Sequence, residues 1–126
     1  MRAETQILIR FADCDLLGHT NNAKYFTYME QARVALFKKI FSKPHFPFIL
    51  AEISCRFLAP TYMDEILIVT ATIVSIGNSS FKINYEFTNK DSGVKVADGT
   101  SAQVWYDYET HKSKPIPEEM RKKLSS

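Results

Sequence analysis

Arg10-Phe11-Ala12-Asp13-Cys14-Asp15-Leu16-Leu17-Gly18-His19-Thr20-Asn21-Asn22-Ala23-Lys24-Tyr25-Phe26-Thr27-Tyr28-Met29-Glu30-Gln31-Ala32-Arg33 divides into two parts of different periodicity. From Asp13 to Asn22 no spacing repeats, and one Gly, two Asp and two Asn supply turn and helix-cap chemistry. From Ala23 to Phe41 the apolar positions Phe26, Met29, Ala32, Leu36, Phe37 and Ile40 recur at intervals of three and four, with Lys24, Gln31, Lys38 and Lys39 between them. That pattern predicts one long amphipathic helix, about 28 Å at 1.5 Å per residue, enough to lie across a small sheet. Ser42-Lys43-Pro44-His45-Phe46-Pro47 ends it, because proline cannot continue a helix.

Strand patterns flank the helix. Ahead of it, Thr5 to Ala12 alternates, with Ile7, Ile9 and Phe11 on one face. After it come an aromatic-rich run from Phe48 to Leu58 and a β-branched run from Ile66 to Ile76 that is apolar on both faces. Gly77-Asn78-Ser79 is a hairpin signal. The next strand alternates Phe81, Ile83, Tyr85 and Phe87 against Lys82, Asn84, Glu86 and Thr88, so its second face is wet or meets another subunit. Val94 to Tyr108 reads as the last strand, and the polar tail ends in a short, loosely held helix at Glu118 to Leu124. Strand, helix, then four antiparallel strands is an α+β order with no parallel βαβ unit.

A chain of 126 residues with 45% hydrophobic residues is one domain, 1–126, able to bury a core without disulfides. A formal charge of +2 lacks the basic excess of a nucleic-acid binder, so no nucleic-acid partner is expected. Cys14 and Cys55 make neither a zinc pattern nor a disulfide framework, and reduced thiols fit the cytoplasm. No apolar run reaches the roughly 18 residues of a membrane span, and Met1-Arg2-Ala3-Glu4-Thr5-Gln6 opens no signal peptide. A cytoplasmic protein without a membrane partner is the expectation.

Asp13-x-Asp15, then Gly18-His19-Thr20-Asn21-Asn22, then a Tyr-rich helix with Glu30-Gln31-Ala32-Arg33 resembles the hotdog-fold thioesterases of the 4-hydroxybenzoyl-CoA thioesterase type. Ala59-Pro60, Asp64 and Ile66-Leu67 resemble the family's approach to its third strand. The resemblance implies a hotdog fold, an antiparallel sheet of about five strands wrapped around one central helix. It implies an acyl-CoA thioesterase that needs no cofactor and works as a homodimer, or a tetramer of paired dimers, with active sites at the subunit interface.

Thioester hydrolysis needs a nucleophile or a base for water, and donors aimed at the oxygen that becomes negative. A carboxylate just ahead of a helix start supplies the first and the unpaired N–H groups of the helix supply the second. By resemblance Asp15 matches the catalytic carboxylate, as nucleophile or general base, and the backbone N–H of Asn22 matches the carbonyl-polarising donor. His19 either serves the chemistry, by orienting the carboxylate or protonating the thiolate, or is a loop histidine bonded to backbone. Asp13 reads as a turn residue. The Asp13-x-Asp15-x-x-Gly18 start of a calcium loop fails at Leu17 and Lys24, where ligands belong, so no metal is expected. Glu30 falls about 12 Å along the helix from Asn22, too far for the carbonyl, and is expected to pair with Arg33 or a lysine. Neither cysteine reads as a nucleophile.

Tyr25, Phe26 and Phe57 are the expected substrate-binding residues, drawn from an aromatic set with Tyr28, Phe46 and Phe48 that otherwise reads as core. The chain departs from the family at Ser75-Ile76-Gly77-Asn78-Ser79-Ser80, which carries no Lys or Arg where relatives hold the phosphates of coenzyme A. An acyl-carrier-protein thioesterase and a non-catalytic acyl-thioester-binding protein are the alternatives.

Overall fold

A computed structural model of the chain describes residues 1–42 and 47–126. Strand β1 (Arg2–Leu8) leads into a 3₁₀ turn (Phe11–Asp13) and helix α1 (Asn22–Phe41). Strands β2 (Phe48–Phe57), β3 (Ile66–Ile76), β4 (Ser80–Asn89), β5 (Lys95–Asp107) and the short β6 (Lys112–Ser113) follow, and helix α2 (Glu118–Ser125) closes the chain. The strands make one antiparallel sheet in the order β1-β3-β4-β5-β2, with β6 added to β5. The expected five strands make the path of the sheet, and the two-residue β6 adds a sixth beside β5.

Helix α1 lies against one face of this sheet. Met29, Ala32 and Leu36 are fully buried against Leu67 and Val69 of β3 and Ile83 and Phe87 of β4, the residues that alternate inward along their strands. Lys82, Asn84 and Glu86 face outward from β4, as its alternation requires. Beyond the C-terminal half of α1, Phe37, Phe41, Phe48, Phe81 and Trp105 form an edge-on and tilted aromatic cluster. The helix ends at Ser42, which adopts a left-handed φ of 57° and returns its N–H to Lys38 O at 3.0 Å. The expected prolyl stop at Pro44 and the candidate pocket residue Phe46 lie outside the described residues.

Three local expectations are overturned. Phe11 does not continue the inward face of β1: Asp13 takes the Arg10 N–H and closes the 3₁₀ turn, leaving Phe11 82% exposed. The buried stripe of α1 runs Tyr25, Tyr28, Met29, Ala32 and Leu36, so Phe26, about 100° round the helix from Tyr25, is outside. The terminal helix is not loosely held, because Leu124 and Ile116 are buried and Arg121 Nη2 donates to Asn78 O at 3.1 Å.

Gly99 sets how closely the layers approach. A Cβ there would stand 2.5 Å from Ser54 O of β2 and 2.8 Å from Met29 Cε of α1. Gly99→Ala is expected to cost about 2 kcal/mol in chemical denaturation, the usual toll of overpacking; an unchanged midpoint would mean that β2 shifts freely.

Candidate active site

The segment between β1 and α1 is folded by its own backbone. Asp13 is buried, and its carboxylate accepts from Arg10 N at 3.1 Å, Arg10 Nε at 3.4 Å and Arg10 Nη2 at 3.0 Å. The Arg10 guanidinium holds the Asp13 carboxyl below the usual carboxylate range, against the opposing pull of burial. Burial first, and then the Asp13 carboxylate, pushes the Tyr28 phenol well above its ordinary value. Asp13 is therefore the anchor of the loop, as its turn role in the sequence predicts.

Its folded value lies below the unfolded one, so the unfolded chain takes up the proton first as pH falls. The stability that Asp13 contributes is whole above the ordinary value of about 3.9 and drains away as pH drops through the folded value. Asp13→Asn is expected to cost about 2 kcal/mol at pH 7, a hydrogen-bonded charge being lost. Urea midpoints of mutant and wild type should then converge toward pH 3; a gap constant with pH would deny the carboxylate this role.

Beyond this anchor the loop doubles back. Asp15 N donates to His19 O at 2.8 Å, Cys14 and Thr20 form an isolated bridge, and Asn21 N donates to Asp13 O at 2.8 Å. Gly18, at the tip, has a φ of 82° that other residues rarely adopt, and its N–H donates to Asp15 O at 3.0 Å. Asp15 is exposed, with Oδ1 accepting the Leu17 N–H at 2.9 Å, and among the described residues nothing bonds Oδ2. One carboxylate oxygen is thus held in place while the other stays open.

Asn21 caps α1 by accepting the Ala23 N–H at 3.0 Å on its side chain. Asn22, the first helical residue, is exposed, and its own N–H has no acceptor among the described residues. That open donor sits at the positive end of the helix dipole. Below it runs a buried chain of hydroxyls: Tyr25 OH lies 2.7 Å from Thr61 Oγ1, which donates to Thr20 Oγ1 at 2.7 Å, and Thr20 N and Oγ1 both donate to Thr61 O. Burial raises the Tyr25 phenol above its ordinary value, so it stays neutral. Sequence reading missed Thr20 and Thr61, whose partners lie about 40 positions apart and leave no local signal.

The expected site residues are only partly brought together. His19, Asn22, Tyr25 and Phe57 line one cavity of about 260 Å³, with Tyr25 edge-on to Phe57 at 5.1 Å. Asp15 lines a different, larger cavity of about 650 Å³ on the same loop. The two are linked through His19, which bridges to Tyr62 and packs edge-on against its ring at 5.3 Å, next to Met63 in the larger cavity. Phe26 lines neither, and Tyr25 is 2% exposed, a core residue whose ring only reaches the cavity wall. Glu30 makes no ion pair among the described residues; Arg33 instead donates to Tyr85 OH at 3.2 Å, because its side chain folds toward the sheet.

Burial, and then Asp98, pushes the Cys55 thiol up to about 11, which leaves it protonated. Among the described residues no three His, Cys, Asp or Glu side chains converge as a metal site, and no helix is long and apolar enough to cross a membrane.

A single antiparallel sheet on one long helix, with a carboxylate and a helix N–H left open between β1 and α1, is a hotdog arrangement. The chain belongs to the thioesterase-like superfamily, whose family model matches residues 9–124. It is similar to the long-chain acyl-CoA thioesterase FadM of Escherichia coli, 26% identical over 126 residues and 96% of each chain. Among solved structures it resembles a thioesterase of Thermus thermophilus complexed with coenzyme A and Zn (29% identity, 98% and 97% of the two chains, TM-score 0.89). A predicted thioesterase from Bacillus stearothermophilus is also similar (27% identity, 99% and 95%, TM-score 0.91).

Proposed function

We propose that the chain hydrolyses acyl-CoA thioesters, with Asp15 as the reacting carboxylate, the Asn22 N–H as the donor to the carbonyl oxygen, and a homodimer as the working unit. The observation that carries the reading is the pairing of a half-tethered carboxylate with an unoccupied helix N–H on one loop. As the tetrahedral state forms, charge passes to the carbonyl oxygen, and a fixed N–H at the helix start stabilises it without reorganising. As general base, Asp15 takes a proton from water, the water oxygen bonds the carbonyl carbon, the C–S bond breaks and the thiolate receives a proton. As nucleophile, Asp15 forms an anhydride with loss of thiolate, and water then cleaves the anhydride. Both routes yield free acid and thiol with no cofactor. His19, whose backbone O accepts the Asp15 N–H and whose ring packs edge-on against Tyr62, is the group that would pass the proton to sulfur.

The basic charge missing from the Ser75–Ser80 hairpin arrives from elsewhere in the chain. Arg121 of α2 reaches Asn78 O, so a cation borders that hairpin after all, which favours coenzyme A over an acyl carrier protein. The edge strand β2 leaves its outer ladder open, with Leu50, Phe57 and Leu58 each at least 40% exposed. A second copy pairing there would cover Phe57 and close the smaller cavity, and the polar outer face of β4 would then be free to take a second dimer. Two free thiols accord with the reducing cytoplasm.

Thiol release from acetyl-, octanoyl-, palmitoyl- and 4-hydroxybenzoyl-CoA tests the activity, and light scattering on the same sample tests the assembly. Turnover of at least one acyl-CoA and a mass of two or four chains are expected. Binding without turnover would leave an acyl-thioester-binding protein, and a monomer with full activity would remove the interface from the site.

A further inference from the structure

We infer that Thr61 is a positioning residue for the thioester chemistry: through Thr20 and Tyr25, its hydroxyl fixes the loop that carries Asp15 against the first turn of α1, which carries the Asn22 N–H. The inference rests on the roles given above to Asp15 and Asn22. Those two groups belong to different elements. A carbonyl attacked at one and stabilised at the other needs their separation held constant, since misplacement by about 1 Å can cost about 10²-fold in rate.

The hydrogen bonds at Thr61 allow one arrangement of protons. Thr20 Oγ1 donates to Thr61 O at 3.2 Å and so has no hydrogen left for Thr61 Oγ1, 2.7 Å away. Thr61 therefore donates to Thr20, and Tyr25 OH, 2.7 Å from Thr61 Oγ1, must be the donor to it. Each hydroxyl hydrogen is used once, in a chain running from Tyr25 through Thr61 and Thr20 to the Thr61 carbonyl. Thr61 is the member bonded to both of the others. All three side chains are buried, so a broken link is not repaired by bulk water.

Each member sits on a different segment. Thr61 belongs to the connection between β2 and β3, which the sheet holds at both ends. Leu58 N and Ala59 N donate to Val96 O, Asp64 N donates to Ile9 O at 2.8 Å, and Ile9 N donates to Glu65 O at 2.9 Å. The Glu65 carboxylate accepts from Tyr62 N at 2.6 Å and from Asn89 Nδ2 at 2.8 Å. Thr20 belongs to the loop, paired with Cys14 and next to His19, whose O accepts the Asp15 N–H. Tyr25 stands about one turn into α1 from Asn22. The position of the sheet thus passes through one hydroxyl to both groups: Asp13 anchors the start of the loop and Thr61 its end.

The test compares Thr61→Val, which keeps the shape and removes the hydroxyl, with Thr61→Ser, which keeps the hydroxyl, and Tyr25→Phe, which breaks the link to the helix alone. Thr61→Val is expected to lower kcat for the best acyl-CoA about tenfold or more with KM within about twofold of wild type, and Thr61→Ser to restore kcat to within about threefold. Tyr25→Phe strands no buried donor and is expected to cost about threefold to tenfold in kcat. Amide hydrogen exchange by NMR reads the same lock without turnover: in Thr61→Val the Asp15, Thr20 and Asn21 amides should exchange about tenfold or more faster, while Ile83 and Phe87 of β4 keep their wild-type rates. Unmoved exchange overturns the inference, as does faster exchange with kcat unchanged, which would make Thr61 a core contact only. If Thr61→Val does not fold, Tyr25→Phe decides, and wild-type kcat in that protein overturns the inference. A wild type that turns over no acyl-CoA sinks the hydrolase reading, and the exchange rates then judge by themselves whether Thr61 sets Asp15 against Asn22.

Discussion

Asp15→Asn is expected to lower kcat/KM for the best acyl-CoA by two or more orders of magnitude while leaving the unfolding midpoint near that of wild type. The reason lies in how the carboxylate is held. Oδ1 accepts the Leu17 N–H at 2.9 Å, and an asparagine oxygen can accept the same bond, so the loop keeps its shape. What asparagine cannot do is take a proton from water or attack a carbonyl carbon, and general-base or nucleophilic assistance is commonly worth 10² to 10⁴ in rate, roughly. Asp15→Ala should lose as much activity, with some further loosening of the loop because the Leu17 N–H is orphaned. The loss should fall on kcat, with KM little changed, since a group that acts on the reacting atoms stabilises the transition state rather than the bound substrate. An Asp15→Asn protein that retains a tenth of wild-type activity or more would move the chemistry to another residue.

Asn22→Pro separates a backbone role from a side-chain role at one position. Proline has no N–H, so the substitution deletes the donor proposed for the carbonyl oxygen. It should not break the helix: Asn22 is the first helical residue, where proline is favoured, and Asn21 before it has φ −63° and ψ 131°, the extended geometry a following proline demands. Loss of one such donor is expected to reduce kcat by about 10² to 10³. Asn22→Ala keeps the N–H and the helix and should hold most of the activity. Equal losses in the two variants would place the effect in the Asn22 side chain, and equal retention would remove the helix terminus from the mechanism. Circular dichroism at 222 nm and thermal melts would verify that both helices are intact.

Much of this site is readable along the chain because its signals are local. Asp15, Gly18, His19 and Asn21-Asn22 stand within eight consecutive residues, and loop and cap chemistry act over that range. Where the reading failed, a distant residue decided. Phe26 outranks Tyr25 in hydrophobicity, yet Thr20 and Thr61 give the Tyr25 hydroxyl a buried partner, and that turns the stripe of α1 toward the tyrosines. Glu30 and Arg33 have helix spacing for an ion pair, but Tyr85 of β4 captures the arginine. The terminal helix reads as loose because Leu124, with Ile116 just before the helix, is among its few apolar anchors; burial of both, with α2 packed on β3 and α1, holds it.

By itself the sequence determined the elements: the long helix α1, the Ile66–Ile76 strand, the alternation of β4 and a helix cap at Asn21-Asn22 follow from periodicity and backbone preference, which neighbours along the chain express. The tertiary structure alone decided that the Arg10 N–H and guanidinium close on Asp13 and turn Phe11 outward, and that Met63, 48 positions beyond Asp15, joins Phe11 and Leu16 around the larger cavity. A cavity is made by residues that share no local period, and its walls exist only once the sheet has paired and brought the segment before β3 beside the loop before α1.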